Sequence, residues 1–117
     1  MLRLVGLVLL MWLVPGLGPA AAHSEFERAE PAAGSTVQPA PREVAIWFTQ
    51  RLEPALSSLT VRNAAGQRVD AGKAQVSGNV IRVPLKQIGP GSYKVDWRVL
   101  SVDTHRTRGS FTFRVAE

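Results

Sequence analysis

The sequence predicts an all-β fold, a small antiparallel sandwich or barrel of about seven strands. Several short segments alternate apolar with polar residues, which is the period of a strand with one buried face. Turns that contain glycine or proline separate these segments at intervals of about 8–12 residues. After the first 22 residues, no stretch shows a sustained helical period. At 117 residues, the chain is long enough for one domain.

The N-terminal segment is predicted to be a secretory signal peptide that lies outside this domain. Arg3 precedes an apolar run at residues 4–14, and small residues with an Ala-x-Ala pattern end at Ala22. The run is shorter than the roughly 20 residues that a membrane-spanning helix needs. We therefore predict residues 1–22 as the signal peptide, with cleavage after Ala22 and export of a chain that begins at His23.

The predicted mature domain, residues 23–117, has no cysteine and a positive net charge. Without disulfides, a domain of this size must obtain its stability from sheet packing and from bound ligands. It contains 13 basic and 9 acidic residues, and the basic residues are dispersed along the sequence rather than gathered in one run. Nucleic-acid binding requires a clustered basic patch, so we predict a soluble positive surface and no nucleic-acid partner.

The first part of the domain is predicted to be irregular, and the first clear strand follows it. Residues 24–41 are charged at the start and are then broken by prolines, which favours loops. Residues 44–48 alternate, with one apolar face. Trp47 points to the opposite face from Phe48, so we expect Phe48 in the core and Trp47 at the surface.

Three further segments follow in the middle of the chain. A strand at residues 59–62 leads into a turn at residues 63–66, and a return strand starts at residues 67–69. Residues 80–85 form the next strand. Because Pro84 cannot donate a hydrogen bond to a neighbouring strand, we expect that end of the strand at an edge.

The C-terminal part contains the clearest strand, residues 93–99, and a last strand at residues 111–115. The first of these has one continuous apolar face, formed by Tyr93, Val95, Trp97 and Val99. A short polar segment between the two strands contains Asp103 and His105. We expect this segment at the end of a sheet.

Asp103 and His105 are candidate metal ligands. They are two positions apart, so in an extended segment their side chains point to the same side. The only other histidine, His23, stands at the predicted mature N-terminus. A free N-terminal histidine can offer its amine and its ring Nδ1 to the same ion once the amine has lost a proton.

This ligand set predicts one Cu(II) ion per mature chain. Three nitrogens from His23 and His105, with one carboxylate oxygen from Asp103, suit the tetragonal geometry of Cu(II). Both methionines lie in the predicted signal peptide and the chain has no cysteine, so the mature domain lacks soft ligands for Cu(I). Zinc is the main competitor, although an N-terminal amine is less typical of zinc sites.

With these residues in place, the sequence resembles the CopC-type copper-binding proteins of the bacterial periplasm. The resemblance covers essentially the whole mature chain and is carried by the junction ending in His23, Pro31–Gly34, Pro41 with residues 44–48, Gly89–Arg98, Ser101–His105 and Gly109–Val115. It implies a Greek-key β-barrel of cupredoxin-like or immunoglobulin-like type. It also implies a Cu(II) site at His23, Asp103 and His105, a role in copper resistance or uptake, and a CopD-like inner-membrane copper transport protein as partner.

The sequence departs from that family's pattern at three points. It has no methionine-rich loop, so it resembles the branch that binds Cu(II) alone. Gln50 stands where a glutamate is often found, which leaves the role of that position open. Arg106 stands where the family often has proline, and with Arg108 it adds charge beside the site. These two arginines are either solvated loop charges or a docking point for an acidic partner.

Three functions from different classes fit the residues. The first is a non-catalytic Cu(II) carrier or scavenger in the periplasm, which we favour because no residue beside the ligands resembles a catalytic base. The second is a copper monooxygenase built on the same N-terminal histidine, but Asp103 would occupy a position that oxygen chemistry needs open. The third is a metal-free immunoglobulin-like interaction module, which leaves the placement of both histidines unexplained. The sequence therefore predicts no enzyme and no catalytic residue.

Overall fold

The computed structural model describes residues 25–117, and strands make up most of them. These strands are β1 (Phe26–Glu30), β2 (Thr36–Val37), β3 (Glu43–Phe48), β4 (Ser58–Asn63), β5 (Gln75–Ser77), β6 (Val80–Pro84), β7 (Gly91–Leu100) and β8 (Arg106–Val115). One turn of 3-10 helix, Pro54–Leu56, precedes β4. Within this described part, no helix has the length and apolar character needed to cross a membrane.

The strands form two four-stranded sheets. The first sheet has the order β1-β3-β6-β5, and the second has the order β2-β8-β7-β4. All neighbouring strands are antiparallel except β2, which pairs in parallel with β8. The predicted all-β, mainly antiparallel sandwich is confirmed.

The core lies between the sheets and is filled from the alternating faces that the sequence predicts. Its largest fully buried apolar side chains are Phe48, Phe113, Ile46, Ile81, Val44, Val61, Val83 and Val95. Trp97 packs edge to face against Phe48, with ring centres 5.0 Å apart. Gly109 lies opposite Trp97 in the β7–β8 pair, and a Cβ atom there would come within 2.5 Å of the indole. Glycine at this position therefore makes room for the tryptophan.

Three segments differ from the prediction, each for a physical reason. Residues 26–30 form β1 rather than a loop, because an edge strand needs only one buried residue, here Ala29. Residues 67–69 make an isolated bridge to β4 instead of a return strand. The last strand begins at Arg106, well before residue 111, since Thr107 and Gly109 continue its inward face without large apolar side chains.

Candidate metal centre

The candidate ligands Asp103 and His105 lie in the loop that joins β7 to β8, at one end of the second sheet. The amide of Ser101 donates to the carbonyl oxygen of His105 at 3.0 Å, and the amide of Thr104 donates to the carbonyl oxygen of Ser101 at 2.9 Å. Thr104 adopts a left-handed conformation with φ of 74°. A β-branched residue is rare in that region, so surrounding bonds must hold it there. The loop is therefore a closed, well-defined turn.

A neighbouring segment, residues 51–53, holds this loop from the side. The amide of Val102 donates to the carbonyl oxygen of Arg51 at 2.9 Å, and the amide of Glu53 donates to Leu100 at 2.8 Å. Leu52 and Ser101 also form an antiparallel bridge. Because the 51–53 segment follows β3 of the first sheet, the loop is fixed by contacts from both sheets.

The two candidate side chains are close together and accessible. His105 Nδ1 lies 3.3 Å from Asp103 Oδ1, and the side chains are 50% and 33% exposed, respectively. Ser101, which is fully buried, donates its hydroxyl to Asp103 Oδ1. The same hydroxyl oxygen lies 3.3 Å from the carbonyl oxygen of His105. Buried Ser101 thus orients the side chain of Asp103 and holds the backbone of His105 in place.

The electrostatics of the loop favour an ionised carboxylate. The hydrogen bond from Ser101 lowers the pKa of Asp103 below its ordinary value, and partial burial opposes this effect without overcoming it. Hydrogen bonds and charge from His105 lower that pKa further. Metal binding requires a deprotonated carboxylate, so Asp103 is already in the form that a cation would take.

The structure also fixes where the N-terminal segment enters the domain. The amide of Glu25 donates to Thr49 Oγ1 at 2.9 Å, and the amide of Thr49 donates to the carbonyl oxygen of Glu25 at 2.9 Å. Phe26 packs on three core aromatic rings, those of Phe48, Trp97 and Phe111, with ring centres about 6 Å apart. Residue 25 is therefore held beside the end of β3.

That end of β3 continues directly into the segment that holds the candidate loop. Gln50, which is half-buried, lies between Thr49 and Arg51. Thr49 binds Glu25, and Arg51 accepts the hydrogen bond from Val102. The start of β1, position 50 and the loop with Asp103 and His105 are thus linked at one end of the sandwich. At position 50 a neutral amide replaces the carboxylate that was expected from the resemblance.

Of the three predicted ligands, the structure brings Asp103 and His105 together, and His23 lies outside the described residues. Within residues 25–117, no group of three or more histidine, cysteine or acidic side chains is placed to hold a metal ion. Sequence reasoning missed the contribution of Ser101. The Ser-x-Asp-x-His spacing is visible in the sequence, but the contact of Ser101 with Asp103 depends on the turn at residues 102–104, which an extended segment would not contain.

Comparison with known proteins gives a consistent family. The CopC domain model matches residues 26–116. Copper resistance protein C of Xanthomonas campestris pv. juglandis is 35% identical over 105 residues, which cover 82% of this chain and 82% of that protein. Protein YobA of Escherichia coli (strain K12) is 32% identical over 98 residues, covering 80% and 79%. The copper transport protein CutJ of Bacillus subtilis (strain 168) is 28% identical over 115 residues, but only 21% of its length is matched.

Solved structures agree with this assignment. CopC from Methylosinus trichosporium OB3b has a TM-score of 0.75 and 31% identity, and the match covers 80% of this chain and 94% of that one. PcoC, a methionine-rich copper resistance protein from Escherichia coli, has a TM-score of 0.70 and 28% identity, with coverage of 80% and 99%. The family model, the relatives and the fold together show that this chain belongs to the CopC family.

Proposed function

We propose that this protein is a periplasmic copper carrier or scavenger that binds one Cu(II) ion and takes part in copper resistance or uptake. The observation that carries the proposal is the exposed Asp103–His105 pair, oriented by the buried hydroxyl of Ser101. The choice of copper as the metal is supported by relatives that are named for copper resistance and copper transport.

The proposed ligands are the amine and ring of His23, the ring of His105 and the carboxylate of Asp103. The described pair supplies two of these groups, so a further donor has to come from another part of the chain. Nitrogen-rich donors with one carboxylate favour Cu(II) over harder divalent ions. Methionine is confined to positions 1 and 11, so the soft donors suited to Cu(I) are absent from residues 23–117.

The entry point of the N-terminal segment supports His23 as the missing donor. Glu25 is held beside Thr49, and the following residues lead to the loop with Asp103 and His105. Two residues of extended chain reach about 7 Å at most. His23 therefore has to lie near Glu25, at the end of the domain that carries Asp103 and His105. Its amine becomes a ligand only after cleavage behind Ala22, which couples the site to export.

The proposed role is transport rather than catalysis, with the metal as cargo. Asp103 contributes an ionised carboxylate to the ion, and Ser101 keeps that carboxylate in place. The inner-membrane partner that we propose is a CopD-like copper transport protein. The matched part of CutJ supports this idea, because there a related segment forms one part of a much longer copper transport protein.

The decisive experiment begins with the intact mass of the exported chain, which we expect to start at His23. Titration with Cu(II) against a competing chelator should give one ion per chain and an electron paramagnetic resonance spectrum with nitrogen ligands. His105→Ala should weaken binding by about 100-fold, since loss of a supporting hydrogen bond alone typically weakens metal sites by about 10–100-fold. One glycine added before His23 should have a similar effect, because it moves the amine away from the ring.

Asp96→Asn is the matched control, since Asp96 is a partly exposed carboxylate on β7 outside the loop. It should bind copper as the wild type does. Saturating copper should also raise the melting temperature, because a ligand at about 100 times its dissociation constant adds about 2.7 kcal/mol to the folded state. Copper binding that is unchanged in His105→Ala, or a mature chain that begins elsewhere, would refute the proposed site.

A further inference from the structure

The outer face of the second sheet carries an unusual concentration of positive charge. Residues of β4, β7 and β8 alternate between the core and this face, and six of the outward residues are basic. We call this set the basic face: Arg62, Lys94, Arg98, Arg106, Arg108 and Arg114. Asp96 is the one acidic residue that points outward from these three strands. Basic residues that are far apart in the sequence are therefore brought together when the strands pair.

The basic face accounts for the whole net charge of the described chain. Residues 25–117 contain 13 basic and 9 acidic side chains, a net charge of +4. The basic face with Asp96 contributes +5, so the rest of the described surface is close to neutral. Charge this localised creates a directional field that attracts an anionic partner to one side of the molecule.

The outer face of the first sheet shows the opposite arrangement. Arg28 pairs with Glu30 at 3.1 Å, and Arg82 pairs with Glu43 at 2.8 Å. Both guanidinium groups also pack on Trp47, at 3.6 and 5.6 Å from the ring centre. These four charges of the first sheet are therefore paired within the domain, whereas on the basic face the ion pair found among the described residues joins Lys94 to Asp96 at 4.0 Å.

Strand register places like charges of the basic face directly opposite each other. Arg98 on β7 is the cross-strand partner of Arg108 on β8, and Lys94 is the partner of Arg62 on β4. Like charges placed directly opposite each other destabilise a sheet. Within residues 25–117, Arg98, Arg106 and Arg108 form no ion pair. Such an arrangement suits a surface whose counter-charges come from another molecule.

The basic face adjoins the candidate metal centre. Arg106 follows His105 directly, and Arg98 and Arg108 form a cross-strand pair two residues further along the same face. A groove of about 340 Å³ at this end is lined by these arginines with Leu56, Val99 and Thr107. Leu56 is 57% exposed, so its side chain is available for contact at the wall of this groove. An apolar contact ringed by arginines is a common composition for a protein–protein interface.

We infer that the basic face is the docking surface for an acidic, folded protein that exchanges copper with this chain. The inference rests on the proposed copper function for the identity of the cargo, and on charge and shape for the docking itself. Five of the six cations are arginines, whose planar forks bind carboxylates in a bidentate manner. The sheet register fixes their spacing, and the groove at Leu56 adds shape. Lipid phosphates also pair with arginine, but a fluid lipid layer holds its anions at no fixed spacing, so the fixed register of these arginines favours a folded partner.

The test uses metal-free mature protein, so its outcome is independent of copper binding. The probe is a helical peptide that displays a row of glutamates, with a glutamine version as the neutral reference. Amide chemical shifts of the labelled protein should move on β7 and β8 near Leu56, and only with the acidic peptide. Because the attraction is electrostatic, affinity should fall steeply between low and physiological salt.

Two triple variants with equal net charge sharpen the test. Arg98→Gln/Arg106→Gln/Arg108→Gln should weaken peptide binding by about tenfold, on the scale of three exposed ion pairs. Arg42→Gln/Lys73→Gln/Lys86→Gln removes three exposed charges outside the basic face and should change binding less than twofold. Melting curves establish that both variants are folded. Equal effects of the two triple variants, or shifts in the wild type spread over both sheets, would overturn the inference.

Vesicles that contain about one third phosphatidylglycerol provide the remaining arm. We expect the affinity of the wild-type protein for these vesicles to be no higher than its affinity for the acidic peptide. If the vesicles bind more tightly and lose binding in the Arg98/Arg106/Arg108 variant, the partner is a membrane surface and the inferred protein partner is wrong. A protein that binds the peptide but no copper would leave the docking surface intact and refute the copper function alone.

Discussion

Two aspartates of this domain share a local sequence pattern and have opposite roles in the structure. Asp70 lies two residues after Arg68, and Asp103 lies two residues before His105. In both cases, a carboxylate lies two residues from a cationic or ionisable partner and contacts it. The pKa of each aspartate is lowered. Sequence spacing alone does not distinguish them.

Burial and the nature of the donors make the difference. Asp70 has a side chain only 2% exposed, and it accepts hydrogen bonds from the amide of Val61 at 2.9 Å and from Arg68 at 2.6 and 3.2 Å. Permanent donors thus occupy both oxygens, and the carboxylate joins β4 to the segment after it. Asp103 is one-third exposed beside an imidazole that can bind a metal. The first carboxylate holds the fold, and the second is available for a ligand.

The largest expected difference between the two aspartates is in copper affinity, which is tested by neutralising each carboxylate in turn. Asp103→Asn removes the proposed anionic ligand and should weaken Cu(II) binding by about 100-fold. Asp70→Asn removes a charge of the same size outside the candidate centre and should leave affinity nearly unchanged in the folded protein. Chelator competition at fixed salt and pH measures both constants. Equal losses in the two variants would mean that net charge, rather than coordination, governs binding.

The effects of the two variants on the free energy of unfolding should rank in the opposite order to their effects on copper affinity. Asp70→Asn keeps one acceptor oxygen but replaces the other with an NH2 group, so one of the donors on Val61 and Arg68 loses its acceptor and the charge opposite Arg68 is removed. Loss of a buried hydrogen-bond partner costs about 1–3 kcal/mol, which corresponds to several degrees in melting temperature for a domain of this size. Asp103→Asn should be less destabilising, because its side chain is partly solvated. Urea unfolding of the metal-free proteins checks the order, and a larger effect at Asp103 would contradict it.

Ser101 tests whether the exposed pair needs its buried support. Ser101→Ala removes the hydroxyl that orients Asp103 but leaves both proposed ligands in the chain. Loss of such a supporting hydrogen bond should weaken copper binding by about tenfold, less than the loss of a ligand. Ser101→Thr keeps the hydroxyl and should restore most of the affinity if the buried site admits the extra methyl group. Wild-type affinity in Ser101→Ala would assign Ser101 to the fold alone.

The sequence predicted well the features that depend on one continuous segment, and it predicted poorly those that depend on contacts between distant segments. The strand at residues 93–99 was clear because alternation along one segment reports one buried face. β1 was missed because Ala29 is its one buried residue, Phe26 is covered only in part, and the strand depends on pairing with β3. Asp103 and His105 do lie together, 3.3 Å apart, but a turn with Thr104 in the left-handed region brings them there rather than the extended segment that their spacing predicted. The buried position of Ser101 depends on the 51–53 segment, which no local pattern identifies.

The basic face shows the same limit on a larger scale. Its residues are separated by up to about half of the domain in sequence, so they looked dispersed. Only the register of β4, β7 and β8 places Arg62 beside Lys94 and Arg98 beside Arg108. Charge clustering across a sheet is a property of strand pairing, and pairing is the information that alternation does not contain.

The smallest expected difference between the two aspartates is in how the free energy of unfolding depends on pH. Burial by itself raises the pKa of Asp70, but the hydrogen bonds from Arg68 and Val61 and the charge of Arg68 together lower the pKa below its ordinary value. An unfolded aspartate titrates near pH ~3.9. Because the folded pKa is the lower one, the stabilisation from Asp70 is complete above that pH and is lost as the pH falls through the folded pKa.

The free energy of unfolding of wild type minus that of Asp70→Asn should therefore be constant between about pH 7 and pH 5 and should shrink below about pH 4. Urea titrations of the metal-free proteins at several pH values measure this difference. The pKa of Asp103 is shifted in the same direction, but water screens its more exposed side chain, so the corresponding difference for Asp103→Asn should vary less with pH. A wild-type advantage over Asp70→Asn that grows at low pH would show that the Asp70 carboxylate is not held in its ionised form by the fold.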